Sequence, residues 1–106
     1  MTNNKLTTFG EFIRNLREEA NLPLRKVAAE LDIDQSQLAK IERDERQPTK
    51  EIIKLIAKFF KQNEHELNIT YLSDRIAYQI LDEEDGLEAL KVAEKKVKYI
   101  QTKRTQ

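Results

Sequence analysis

A chain of 106 residues fits one domain with a small appendage, long enough for a single modest core and too short for two. With 39% apolar and 36% charged residues, two Gly and two Pro, it lacks the turn residues of an all-β chain and reads as all-α, helices joined by short connections. The lack of cysteine excludes disulfides, thiolate zinc and a Cys nucleophile, a lone His65 excludes a His-rich metal site, and 19 cations against 19 anions weigh by themselves against phosphate binding.

The first helix is signalled at Thr8-Phe9-Gly10-Glu11, where Thr8 caps and Glu11 reaches back in a capping box. Phe9, Phe12, Ile13, Leu16 and Ala20 share one helical face, and Asn21 and Pro23 mark the end. A second short helix covers about residues 24–31, with Leu24, Val27, Ala28 and Leu31 on one face. Ala28 is small enough to admit a close neighbour. Asp34 caps a third helix over about residues 35–43, with Gln37 placed for a second capping box. Only Leu38, Ala39 and Ile41 are apolar there, so much of its surface faces outward.

Residues 44–48 read as a loop, and Thr49 caps a fourth helix that is apolar around more than one face. Asn63-Glu64-His65-Glu66 offers another capping box, and Leu67 and Ile69 close a short fifth helix. From Thr70 the pattern resumes with Leu72, Ile76, Ile80 and Leu81. Asp82-Glu83-Glu84-Asp85-Gly86 interrupts it. A last helix follows, with Leu90, Ala93, Val97 and Ile100 as a short heptad-like seam. The expected organisation is therefore residues 1–69 as one domain and 70–106 as a C-terminal helical extension.

Two short helices joined by a tight turn suggest a helix-turn-helix, a pattern that short helices in many small bundles share. Leu24-Arg25-Lys26-Val27-Ala28, the run Leu31–Arg43 and Arg46-Gln47-Pro48 resemble the phage-repressor type, the Cro/C1 or XRE family of bacterial and phage DNA-binding regulators. The resemblance covers about residues 8–69. It implies a five-helix, lambda-repressor-like domain and a sequence-specific transcriptional regulator of double-stranded DNA, most simply a repressor. Compact members resemble the controllers of restriction-modification systems, which extends the expectation to that role.

The resemblance also implies site residues. Gln35, Ser36 and Lys40 stand where base edges are read, with Gln37 either a fourth reader or the capping partner of Asp34. Amide, hydroxyl and ammonium groups suit the donor and acceptor pattern of the major groove. Arg25, Lys26, Arg43, Arg46 and Lys50 are placed to hold phosphates, with ion pairs to Asp44, Glu45 and Glu51 as the rival use of the last three. The sequence departs from the family at Asp32 and Asp44, where glycine is usual, and at Leu24, where Gln often makes a DNA contact. Asp tolerates left-handed backbone better than most residues.

Isolated helices of this length need apolar partners. Residues 70–106 are therefore expected to form a homodimer interface through Leu72, Ile76, Tyr78, Ile80, Leu90, Ala93, Val97 and Ile100. Two recognition helices would then meet a palindromic site. The alternative is an antitoxin or protein-binding module that neutralises a partner through the same segment. His65 reads as a surface residue and Asp82–Asp85 as a solvated helix terminus, since the acids lack calcium-loop alternation. No nucleophile, phosphate loop or His base accompanies them, so the expectation is no enzyme, no cofactor and no metal. No apolar run is long enough for a membrane span, and the polar start lacks a signal peptide, which leaves a cytoplasmic protein as the expectation.

Overall fold

In the computed structural model, which describes residues 6–105, the chain forms six α-helices. They are α1 (Phe9–Glu19), α2 (Leu24–Glu30), α3 (Gln35–Glu42), α4 (Lys50–Phe60), α5 (Glu64–Ile80) and α6 (Gly86–Arg104). No strand occurs among the described residues. The polar start, residues 1–5, and Gln106 lie outside them. Contacts divide the chain into one compact unit reaching to Asp74 and a second from Arg75 onward.

The core of the first unit draws on every helix it contains. Phe9 and Ile13 of α1, Val27 and Ala28 of α2, Leu38 and Ile41 of α3, Ile52, Ile53, Ile56 and Ala57 of α4, and Leu67 of α5 are buried together with Leu31. Full burial of each larger aliphatic contributes about 1.5–3 kcal/mol. α3 packs directly on α1 and α2. The approach to α1 is so close that a Cβ on Gly10 would collide with the carbonyl oxygens of Ile41 and Glu42.

Four helix starts carry side-chain caps, whereas α2 begins after Pro23 and α6 after Asp85 without one. Thr8 accepts from the Glu11 amide at 3.2 Å while Glu11 accepts from the Thr8 amide at 3.0 Å, the reciprocal box. Thr49 accepts from Ile52, and Asn63 from Glu66. At Asp34 the main-chain half of the box forms, with the Gln37 amide donating at 2.8 Å.

Four helices end alike, each with a non-glycine residue in the left-handed region: Asn21, Asp32, Asp44 and Lys61, all with φ between 56° and 61°. Each time, the amide after that residue donates back to a carbonyl five residues earlier. Leu22 donates to Arg17, Ile33 to Ala28, Glu45 to Lys40 and Gln62 to Ala57. This is the Schellman arrangement, which satisfies carbonyls that a helix end otherwise leaves unpaired.

One element differs from expectation. The short fifth helix does not stop near Ile69; α5 runs unbroken from Glu64 to Ile80. No Gly or Pro interrupts this stretch. Its Thr70 and Ser73 hydroxyls are satisfied inside the helix, donating to the Glu66 and Thr70 carbonyls. Ile69 does not close the core either: it is 52% exposed, while Leu67 is buried and Tyr71 packs edge-on against Phe9.

In the second unit almost nothing is buried. α6 hides only Gly86, whose Cβ position is blocked by the Ile80 carbonyl. No helix of the described residues is long and apolar enough to cross a membrane.

Candidate nucleic-acid interface

The turn between α2 and α3 is held from both sides. Asp32 takes the left-handed conformation, φ 58°, that the family's glycine would supply. Ile33 then packs against the core, and Asp34 returns to extended backbone to cap α3. Leu24 also packs on the core, so its departure from Gln adds an apolar anchor to the start of α2.

At one residue per 100°, Gln35, Ser36, Lys40 and Arg43 fall within about 140° of the α3 circumference. All four are exposed, and Leu38 and Ile41 on the other side are buried. Gln37 lies at the margin and is half-buried; its main-chain amide, not a free side-chain face, is what the cap uses. The structure thus brings Gln35, Ser36 and Lys40 onto one solvent-facing surface and sets Gln37 at its edge.

Asp34 sits at the tip of this surface. The Gln37 amide and the Ser36 hydroxyl, which donates at 3.0 Å, hold its carboxyl below the usual range, and the charges of Arg46 and Lys40 act in the same direction. Lys40 and Arg46 therefore share a neighbourhood with the N-terminus of α3. Arg43 forms a two-pronged pair with Glu45 at 2.9 and 3.1 Å, which raises the pKa of the arginine and lowers that of the glutamate. Both groups stand in solvent, where such pairs are weak. Of the expected rivals, Glu45 is the partner of Arg43. Asp44 instead turns toward α1, accepting from the Thr8 hydroxyl at 2.6 Å and the Gly10 amide at 3.0 Å. Arg25 and Lys26 are exposed on the first turn of α2, Arg46 in the loop, and Lys50 at the start of α4.

The back of α3 is anchored by an ion pair, with Glu42 buried and turned toward α1. Arg17 of α1 meets both Glu42 oxygens, at 2.7 and 3.0 Å, and donates a third bond to the Leu22 carbonyl. The side chains are 13% and 5% exposed. One guanidinium thus ties α1, the α1–α2 connection and α3 together. Asp74, like Arg17, is not among the expected residues. It accepts from the Phe9 amide at 2.7 Å, so every amide of the first α1 turn has a partner. Burial raises the Asp74 pKa; the charges of Asp44 and Glu11 add to the rise while the Phe9 bond opposes it.

The residues expected at a dimer interface are in solvent for the most part. Leu72, Ile76, Tyr78, Leu90, Ala93, Val97 and Ile100 are exposed and Ile80 is half-buried. A helix-turn-helix family model matches residues 13–67, just over half of the chain and the whole of the surface just described except its flanks. Neither curated proteins nor solved structures gave a match.

Proposed function

Because the chain belongs to the Cro/C1-type, or XRE, helix-turn-helix family of DNA-binding transcriptional regulators, we propose that it is a repressor that reads a palindromic operator as a homodimer. The observation that carries this reading is the outward polar face of α3, with Gln35, Ser36 and Lys40 on a helix fixed at both ends. A rigid helix of this kind enters the major groove with its N-terminal end toward the bases.

In that pose the Gln35 amide pairs with an adenine edge, Lys40 donates to guanine acceptors, and Ser36 serves beside them. A good bidentate pair contributes about 1–3 kcal/mol of discrimination. Gln37 reads from the margin. Arg25, Lys26, Arg43, Arg46 and Lys50 hold phosphates and set the register. Arg43 exchanges its exposed carboxylate partner for a phosphate on docking. With zero net charge the chain relies on this local cluster rather than on a general field. The exposed aliphatics of residues 70–106 join two copies, and occupation of a promoter by the pair blocks transcription.

Selection of bound duplexes from a random library at moderate salt tests this. An enriched palindrome with half-sites about ten base pairs apart is expected. Gln35→Ala or Lys40→Ala then relaxes preference at single positions, whereas Arg46→Ala weakens all sequences alike and lowers the salt slope by about one. Absence of enrichment overturns the reading in favour of a protein-binding role for residues 70–106.

A further inference from the structure

Every residue of α6 except Gly86 is exposed, and its aliphatic stripe includes Leu87 at 76%, Val97 at 53% and Ile100 at 45%. In proteins most helical stability comes from packing of an amphipathic face, and an exposed apolar stripe of this kind marks a contact surface. The two ends of the segment carry opposite charge. Residues 82–88 hold five acids and no base, and residues 95–104 hold five bases and no acid. The helix dipole favours that polarity only over the first and last turn, whereas the bases extend over about three turns.

The elbow between α5 and α6 opens into a cleft with apolar walls from Ile80, Leu81, Leu87 and Leu90. Its rim carries Glu83, Glu84, Asp85 and Glu88. The complement of such a cleft is a short amphipathic helix, aliphatic on one side and basic around it. The second half of α6 has that composition, with Val97 and Ile100 among Lys95, Lys96, Lys98 and Lys103. It cannot fold onto its own elbow, because positions 87 and 97 of one continuous helix lie about 15 Å apart along the axis.

We infer that two copies of this chain pair antiparallel through α6, the Val97–Ile100 end of each lying in the acidic elbow cleft of the other. The inference rests on the homodimer reading above and adds the address and direction of the contact. An isologous contact forms both cleft-to-helix junctions at once. Parallel pairing would set five acids against five acids and five bases against five bases, a like-charge juxtaposition that suppresses that arrangement.

The absence of cysteine makes the test clean. Leu87→Cys and Val97→Cys variants of the full chain are prepared separately, mixed, oxidised gently and sized by chromatography with light scattering. In the antiparallel pair, equal positions stand about 15 Å apart along the axis, beyond the roughly 7 Å Cα separation that a disulfide bridges. The linked dimer is therefore expected in the mixture and at least about tenfold less from either variant alone. As a second measurement, Lys95→Glu with Lys96→Glu and Lys98→Glu raises the dimer Kd at least about tenfold, and salt weakens the parent dimer. Links from each variant alone indicate a parallel pair and overturn the inference. A stable dimer that links in neither way, with a Kd indifferent to charge reversal, uses another surface and overturns the inference while leaving the homodimer standing. A monomeric parent overturns both.

Discussion

α4 and α6 are made of the same materials, aliphatics alternating with lysine and glutamate, and meet opposite fates. Over 11 residues α4 buries Ile52, Ile53, Ile56 and Ala57; over 19 residues α6 buries Gly86 alone. Proportion and placement both separate them: seven of the 11 residues of α4 are apolar against eight of 19 in α6, and those of α4 pack into the core of their unit while those of α6 stand in solvent. The buried core thus lies in the unit ending at Asp74, and the unit beginning at Arg75 exposes its apolar residues.

The sharpest way to break this contrast is truncation on each side. Ile53→Ala is expected to cost about 2–5 kcal/mol by urea denaturation at any protein concentration, the cavity cost of a fully buried aliphatic. Val97→Ala in α6 is expected to change stability by less than about 0.5 kcal/mol in dilute protein, with an effect that grows with concentration as association contributes. Equal losses at low concentration would show that α6 belongs to the folding core after all.

The polar anchor of the first unit comes next in size. Arg17→Ala leaves Glu42 buried without its partner, and about 3 kcal/mol of stability is expected to go with it. Adding Glu42→Ala removes the stranded charge and should recover part of that loss, a coupling that a double-mutant cycle in denaturant reads directly. A purely additive cycle would mean that the pair contributes nothing as a pair.

A smaller effect separates the left-handed helix ends from one another. Lys61→Gly removes a side chain from a conformation that penalises it and should add up to about 1 kcal/mol. Asp44→Gly relieves the same backbone but forfeits the bonds to Thr8 and Gly10, so a net loss of about 1 kcal/mol is expected. Thermal melts of the two variants that shift in the same direction would refute the distinction.

That pair of residues also shows what was legible in the chain. Helix starts were, because Thr8, Asp34 and Thr49 act within three residues of themselves. The outward polar face of α3 was, because it follows from the spacing of Leu38 and Ile41. The left-handed turns at Asp32 and Asp44 followed from the family's glycines at those positions. What the Asp44 side chain does was not, since its partner Gly10 lies 34 residues away, and Asp74 meets Phe9 across 65. The need for glycine at position 10 arises only when α3 arrives against it. The continuity of α5 is hidden for a different reason: its apolar phase shifts between Leu67 and Leu72, which resembles an end although no Gly or Pro stands there.

Asp74 closes the first unit, and it yields the smallest and most specific expectation. Its folded pKa is raised, chiefly by burial, so the folded state holds its proton more tightly than the unfolded chain does. Its contribution is thus fully present below the ordinary aspartate value near ~3.9 and is lost as pH rises through the raised folded value. Asp34, with a lowered pKa, acts in the opposite sense, gaining above its ordinary value and losing as pH falls, so the total profile hides both. Asp74→Asn isolates the first: the amide oxygen still accepts from Phe9, and the charge is gone. Between about pH 3.5 and 6, which brackets the unfolded value, the Tm of the parent should fall relative to that of the variant as pH rises. A constant difference, or one that moves the other way, would mean that the carboxylate sits at the α1 terminus without penalty and that the helix N-terminus compensates its burial in full.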